Sequence, residues 1–373
     1  MDGALTRGQP AAVQAVAAML AGSPPHAVLL TGPVGVGKTT LALDLAAALL
    51  CSPPDGARPP CRTCRACRMV EHGNHPDLHW LRPEGPGGQV VIGGPDARHR
   101  GVRDLVSELA LLPVEGGARV AIVEHADRMN EDAQSALLKM LEEPPAGVTI
   151  VLCAEGEESL LPTVRSRAAR VRLGPVGPRA IEAILAEHGV ADAPTAARLG
   201  RLAGGRPGLA FAYARNPEAV TIRHELTRTL LDLVDARPSA RFEALRGLVP
   251  RAVELVAALE GAGAPVEAPS AAPDEGPRAV PAAERRRAVT VLLGIWTDLA
   301  RDLALVGVGE RAAVRHVELL EELEGVARAV PPTTVAGFLV HLAEVGERLD
   351  ANVAPELLLD SLVLAWPQRA RVA

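Results

Sequence analysis

The chain has 373 residues, 48% of them apolar and only 2% aromatic, with a net charge of −6 and a pI near 6.0. That length exceeds one ordinary core and predicts two or three domains, and with so few rings Ala, Val and Leu must do the packing, which favours helices. The acidic balance excludes an overall basic footprint for autonomous nucleic-acid binding; the lack of about eighteen consecutive uncharged apolar residues, or of a basic and apolar leader, predicts a cytoplasmic protein with no membrane partner.

Residues 10–21 (PAAVQAVAAMLA) have helical apolar spacing and are stopped by SPP. HAVLLTGP is a short apolar run closed by turn residues, a buried strand feeding a loop, and TTLALDLAAALLC continues as a helix. Residues 83–98 carry Gly and Pro and predict a loop with a short hairpin. GVRDLVSELALLP reads as a helix, ARVAIVE as a buried strand, NEDAQSALLKMLEEPP as a helix stopped by proline, and VTIVLCA as another buried strand. Strands alternating with helices predict a parallel sheet covered on both faces, an α/β fold. After VRLGPVGP the strands cease, and helices are expected at 179–189, 195–204, in a long pair over 216–260, and at 283–306, 309–328, 332–349 and 354–365. Residues 261–282, rich in Pro, Ala and Gly, predict a flexible insertion within this helical part.

Gly32-Pro33-Val34-Gly35-Val36-Gly37-Lys38-Thr39 satisfies the GxxxxGK[ST] pattern between a strand and a helix, the context that it requires. Glycines let backbone N–H groups converge on phosphate oxygens, and the N-terminus of the helix, with Thr40 in its first turn, favours their charge. Lys38 reaches the outer phosphates and the Thr39 hydroxyl holds Mg²⁺. ATP or ADP with Mg²⁺ is therefore the expected ligand, against the blander reading of a glycine turn that binds nothing. Of the 39 basic residues all but Lys38 and Lys139 are arginine, so the loop keeps a compact ammonium where the chain otherwise writes guanidinium.

Hydrolysis needs a group that positions water. In P-loop ATPases an acidic pair ends the second strand, but AIVEHAD places Glu124 and His125 there. Glu124 can assist Mg²⁺ through water; a neutral imidazole at 125 is a poor substitute for a carboxylate, and Asp127 lies past the strand end. The blander reading of His125, a tolerated polar residue at a strand terminus, agrees that no base is kept there. Weak or absent hydrolysis is expected.

Cys51, Cys61, Cys64 and Cys67 give C-x₉-C-x₂-C-x₂-C. Four soft ligands without histidine predict a tetrahedral structural Zn²⁺ site, with an iron–sulfur cluster as the sharper alternative and disulfides disfavoured in a reducing compartment. His72, His75 and His79 read as loop histidines, and Arg58, Arg62, Arg65 and Arg68 as solvated charge beside the thiolates.

Taken together these motifs resemble the clamp-loader family of bacterial DNA polymerase III, an AAA+ assembly whose motor and delta-prime members carry a four-cysteine zinc insertion after the P-loop helix. NEDAQSALLKMLEEPPAGVTIVLCAE (130–155) is similar to the family stretch around ALLK-LEEPP, and LPTVRSRAARVRL (161–173) resembles its serine-arginine-cysteine segment, with Ala168 in place of the cysteine. The similarity covers roughly residues 5–210. It implies an AAA+ domain over 1–175 with the zinc module at 51–67, a helical lid over 176–213, and an all-α collar over 214–373. It also implies that Arg167, beside Ser166, acts as an arginine finger on a neighbouring subunit's ATP, against the alternative of a local ion pair with a carboxylate. In GGRPGLA (204–210) Arg206 stands one place before the expected sensor arginine, at Pro207, and Cys153 and Ala154 replace a polar γ-phosphate reader. These departures imply a delta-prime-like member, partnered by motor and delta subunits, the sliding clamp and primed DNA. A motor subunit of the same loader, and a stand-alone nucleotide switch or kinase, are the competing expectations.

Overall fold

The computed structural model describes residues 1, 3–54, 57–84, 88–94, 97–115, 117–261, 281–350 and 353–369. Residues 262–280 of the expected insertion therefore lie outside the described residues, as do 85–87 and 95–96 of the expected hairpin. Two compact units divide the chain: residues 1–187 with 205–208, and residues 188–204 with 209–373.

In the first unit the order is α1 (Pro10–Ala21), β1 (Ala27–Thr31), α2 (Lys38–Leu50), α3 (Arg65–Glu71), β2 (Leu78–Leu81), α4 (Val102–Leu109), β3 (Arg119–Val123), α5 (Glu131–Glu142), β4 (Val148–Ala154), α6 (Pro162–Arg165), β5 (Ala169–Arg172) and α7 (Pro178–Glu187). The five strands form one all-parallel sheet, ordered β2-β3-β4-β1-β5. Strands β1, β3 and β4 are apolar almost throughout because both faces are covered, and side chains alternate between them. Ala27, Leu29, Ala121, Val123, Ile150 and Leu152 pack towards α4 and α5. Val28, Leu30, Val120, Ile122, Val151 and Cys153 pack towards α1, α2 and α3. Ala27 pairs with Ile150 and Thr31 with Ala154, so β4 lies between the loop-bearing β1 and the degenerate strand β3.

Two expectations change in this unit. Among the described residues 83–98 contain no hairpin; Val90 instead bridges Met129 in parallel fashion, drawn there by its N–H donating to Arg128 O. The short β2, LHWL, escaped notice because it is only four residues long and His79 breaks its apolar run.

The second unit holds α8 (Ala193–Leu202), most of α9 (Pro207–Arg215), α10 (Pro217–Asp232), α11 (Pro238–Gly261), α12 (Ala282–Gly307), α13 (Leu320–Ala327), α14 (Pro332–Asp350) and α15 (Pro355–Ala365). The central α12 packs against α10, α11, α13, α14 and α15. Trp296, Phe338 and Trp366 form its aromatic core, with ring centroids 4.7–5.7 Å apart. The single helix expected over 309–328 is not found. Only Leu320–Ala327 is α-helical, after two short 3₁₀ turns, because Gly309 takes a φ of +88° and the buried Asp302 carboxylate captures the N–H groups of Arg315 and His316. No single helix among the described residues is long and apolar enough to cross a membrane.

Fully buried Arg241 closes the end of α15, donating to Val363 O at 2.9 Å, Trp366 O at 2.7 Å and Pro367 O at 3.0 Å. Three carbonyls lose their donor if it is removed. Arg241→Ala is expected to destabilise this unit by about 3 kcal/mol in a denaturant titration.

Candidate functional site

The phosphate loop joins β1 to α2. Gly32, Gly35 and Gly37 take φ values of +149°, +77° and +110°, which side chains with a Cβ rarely adopt, and a Cβ at Gly32 would lie 2.4 Å from Leu173 O. Gly37 is the left-handed residue that launches α2, so the amides of the first turn and the positive end of the helix point at the loop. Lys38 Nζ folds back over this loop, donating to Gly32 O at 2.5 Å and Pro33 O at 3.0 Å. Burial pulls its pKa down, and the nearby Glu155 and Asp127 carboxylates oppose that shift. Such a cradle of left-handed glycines, a helix N-terminus and a buried ammonium fits a nucleotide's phosphates. Gly208 N–H donates to Gly35 O at 2.8 Å, so the segment 205–208 touches the same loop.

Beyond the loop the structure redistributes the expected roles. Glu124 turns towards β2 and accepts from Arg82 Nε at 3.2 Å, while the Arg82 guanidinium lies over the Trp80 ring. His125 adopts φ +50°, and this left-handed turn carries the chain back towards β4. Asp127 Oδ1 therefore accepts the N–H of Glu155 at 3.0 Å, and one ligand atom from each of His125, Asp127 and Glu155 lies within 4.8 Å of the others. Asp127, expected to lie past the strand end and out of reach, returns to the site. Glu155 was missed altogether, because its place beside Lys38 depends on β4 pairing with β1, which no local pattern reveals. Burial pushes the Cys153 thiol up to about 12, leaving a neutral group where a polar phosphate reader was expected to be absent.

The His125 pKa is pulled below 6.5, first by burial, then by Arg128 and, more weakly, Lys38, with Asp127 opposing. The unfolded chain consequently binds a proton from about pH 6.5 downward that the fold resists. Its contribution to stability is complete above pH 6.5 and is lost as the pH falls below that value. Thermal unfolding from pH 7.5 to 5.5 should show a shallower decline in His125→Gln than in the native chain.

Thr163 O receives both the Ser166 hydroxyl, at 3.1 Å, and Arg167 Nη1, at 2.9 Å. Arg167 Nη2 pairs with Glu142 at 2.8 Å, and both side chains remain substantially exposed.

The four cysteine sulfurs approach within 4.8 Å of one another. Cys51 Sγ lies 3.5 Å from Cys61 Sγ and 3.9 Å from Cys64 Sγ, near the ~3.8 Å edge of a tetrahedron with Zn–S bonds of about 2.3 Å, and far beyond disulfide length. The Cys61, Cys64 and Cys67 N–H groups donate to Cys51, Cys61 and Cys64 sulfurs at 3.4–3.5 Å, which favours thiolates. The Thr63 hydroxyl and the Cys64 amide hold the Cys61 thiol down at about 6, whereas burial raises Cys51. This all-sulfur set fits Zn²⁺, and its loading releases protons. Arg65 is exposed and paired with Glu115, but Arg62 corrects the expectation of solvated charge: it forms an ion pair with the fully buried Asp44.

Comparison with known proteins agrees with these features. The family described as "DNA polymerase III, delta subunit" matches residues 8–177. The DNA polymerase III subunit delta' of Bacillus subtilis is 28% identical over 339 residues, covering 91% of this chain and 90% of that protein. Its Pseudomonas aeruginosa counterpart is 39% identical over 145 residues, covering 39% of this chain and 42% of that protein. A Mycobacterium bovis DNA polymerase III subunit gamma/tau is 35% identical over 172 residues, 45% of this chain and 28% of that protein. This chain thus spans nearly all of the Bacillus relative but under half of the Pseudomonas one. With the parallel sheet, the phosphate loop after β1 and the four-cysteine cluster in place, the chain is similar to the DNA polymerase III delta-prime subunits of several bacteria, and over residues 8–177 to the family described as that polymerase's delta subunit.

Proposed function

We propose that this chain is the stator-like member of a heteropentameric clamp loader, assembled with motor and delta subunits in the cytoplasm, and that it helps to open the sliding clamp and load it on primed DNA. In this reading it lends Arg167 to a neighbouring motor subunit's ATP, with Ser166 bracing the finger's base, while residues 176–213 serve as the lid and 214–373 as the collar that assembles the ring. Its own loop, Gly32 to Thr40, holds ATP or ADP with Mg²⁺ and turns it over slowly or not at all. The observation that carries the reading is the contrast within one site: an intact phosphate cradle around Lys38, but at the end of β3 an uncharged His125 and a Glu124 engaged with Arg82. Zn²⁺ on Cys51, Cys61, Cys64 and Cys67 would have a structural role.

A second reading, that the chain is itself an ATP-hydrolysing motor, is favoured by Asp127 and Glu155 near Lys38, where a carboxylate could orient water. ATP turnover by the reconstituted loader with clamp and primed DNA separates the two. Under the stator reading Arg167→Ala removes the stimulation that this chain gives and Lys38→Ala leaves most of it; collapse with Lys38→Ala alone establishes the motor.

A further inference from the structure

Asp44, on α2 six residues beyond Lys38, is fully buried, and the functions discussed above make no use of it. Its Oδ1 accepts the Leu5 N–H at 2.9 Å, and its Oδ2 accepts the Thr6 N–H at 2.9 Å and the Thr6 hydroxyl at 2.6 Å. Its counter-charge comes from Arg62, which stands between Cys61 and Cys64 with a left-handed φ of +60°. Arg62 Nε also donates to Gly3 O at 2.8 Å and Nη1 to Glu71 at 3.2 Å. Gly3 lies so close to the module that an added Cβ would fall 2.1 Å from Pro60 O. At the other end of the same short segment the Gln9 amide donates to Gly174 O at 2.6 Å and to Val36 O, inside the phosphate loop, at 3.5 Å.

Residues 3–9 are therefore pinned at one end by the cysteine module and at the other by the phosphate loop. A buried carboxylate persists only with a partner, and a non-glycine residue holds a left-handed backbone only where its surroundings impose it. Sulfurs drawn onto one ion impose the turn that presents Arg62 to Asp44. We propose that the four-cysteine module is a metal-dependent clasp: Zn²⁺ fixes Arg62 on Asp44, and that pair holds residues 3–9 across α2 to the phosphate loop. Linkage is reciprocal, so loss of the Arg62–Asp44 pair weakens the metal although neither residue is a ligand.

The test uses the full chain and does not depend on nucleotide turnover or on the clamp-loader reading. Arg62→Gly keeps the left-handed turn open to the backbone and removes only the guanidinium. Zn²⁺ affinity, measured by competition with a chromogenic chelator, should fall about 10–100-fold in Arg62→Gly and in the near-isosteric Asp44→Asn, and the double variant should be no weaker than the worse single one. Amide hydrogen exchange at Leu5 and Thr6 should accelerate when the native chain loses Zn²⁺, and be fast in Arg62→Gly with or without it. Native-like Zn²⁺ affinity in Arg62→Gly, exchange at Leu5 and Thr6 that ignores the metal, or a chain that takes up no Zn²⁺ would each overturn the clasp.

Discussion

Under the finger-donor role proposed above, Arg167→Ala is expected to slow ATP turnover at a neighbouring motor's site by about 10³-fold or more, the range in which an arginine supplied from outside a phosphoryl-transfer site operates. The guanidinium is not idle in the isolated chain, since Glu142 holds it at 2.8 Å. An exposed ion pair of this kind is worth about 1 kcal/mol at most, so giving it up to reach a partner's phosphates reduces the finger's effect by no more than about fivefold. Glu142→Gln should accordingly leave loader turnover within about fivefold of native. The pair of variants separates a finger from a structural arginine: if Arg167 merely braced the α5 terminus, both changes would act alike and weakly. Steady-state turnover of the reconstituted assembly, corrected for assembly by gel filtration, is the deciding measurement.

The second large effect is expected at the metal. Cys67 is buried at the start of α3, and Cys67→Ser leaves three thiolates where a tetrahedral ion needs four ligands. Bound Zn²⁺ should drop from one equivalent to well below that by metal analysis. The damage should extend past the module, because relaxing the Cys61–Cys64 turn withdraws Arg62 from Asp44. A buried carboxylate stripped of its partner costs about 3–5 kcal/mol, which in a unit of this size corresponds to about 10 °C in Tm. Loss of zinc with an unchanged Tm would show that the module folds apart from the sheet.

Much of the first unit was legible locally. The loop from Gly32 to Thr39, the helix launched by Lys38 and the apolar strands β1, β3 and β4 each announce themselves by spacing alone. So did the gathering of the four cysteines, whose short separations leave the chain few ways to arrange them. What stayed hidden depends on distant pairings. Glu155 reaches the site only because β4 inserts beside β1, Asp127 only because His125 turns left-handed, and Arg62 finds Asp44 eighteen positions away across the module. For Arg167 the sequence offered a finger or a local ion pair; the isolated chain has the ion pair, with Glu142 on a different element that no local pattern links to it. The false helix at 309–328 has a similar origin: its apolar spacing was adequate, but Asp302, on the preceding helix, draws the backbone of Arg315 and His316 out of helical register.

The scarcity of aromatic residues noted at the outset also gives this chain an optical division of labour. It has three tryptophans. Trp296 and Trp366 are fully buried in the helical unit, edge to face at 5.6 Å, so their emission is blue-shifted when the unit is packed and moves to the red together when water reaches them. Trp80 is half-buried on β2, capped by Arg82 and packed against the core that lies between the sheet and α1, α2 and α3. Fluorescence can therefore be split by a single Trp80→Phe change into one signal that follows the helical unit and another that follows the sheet, without attaching any dye.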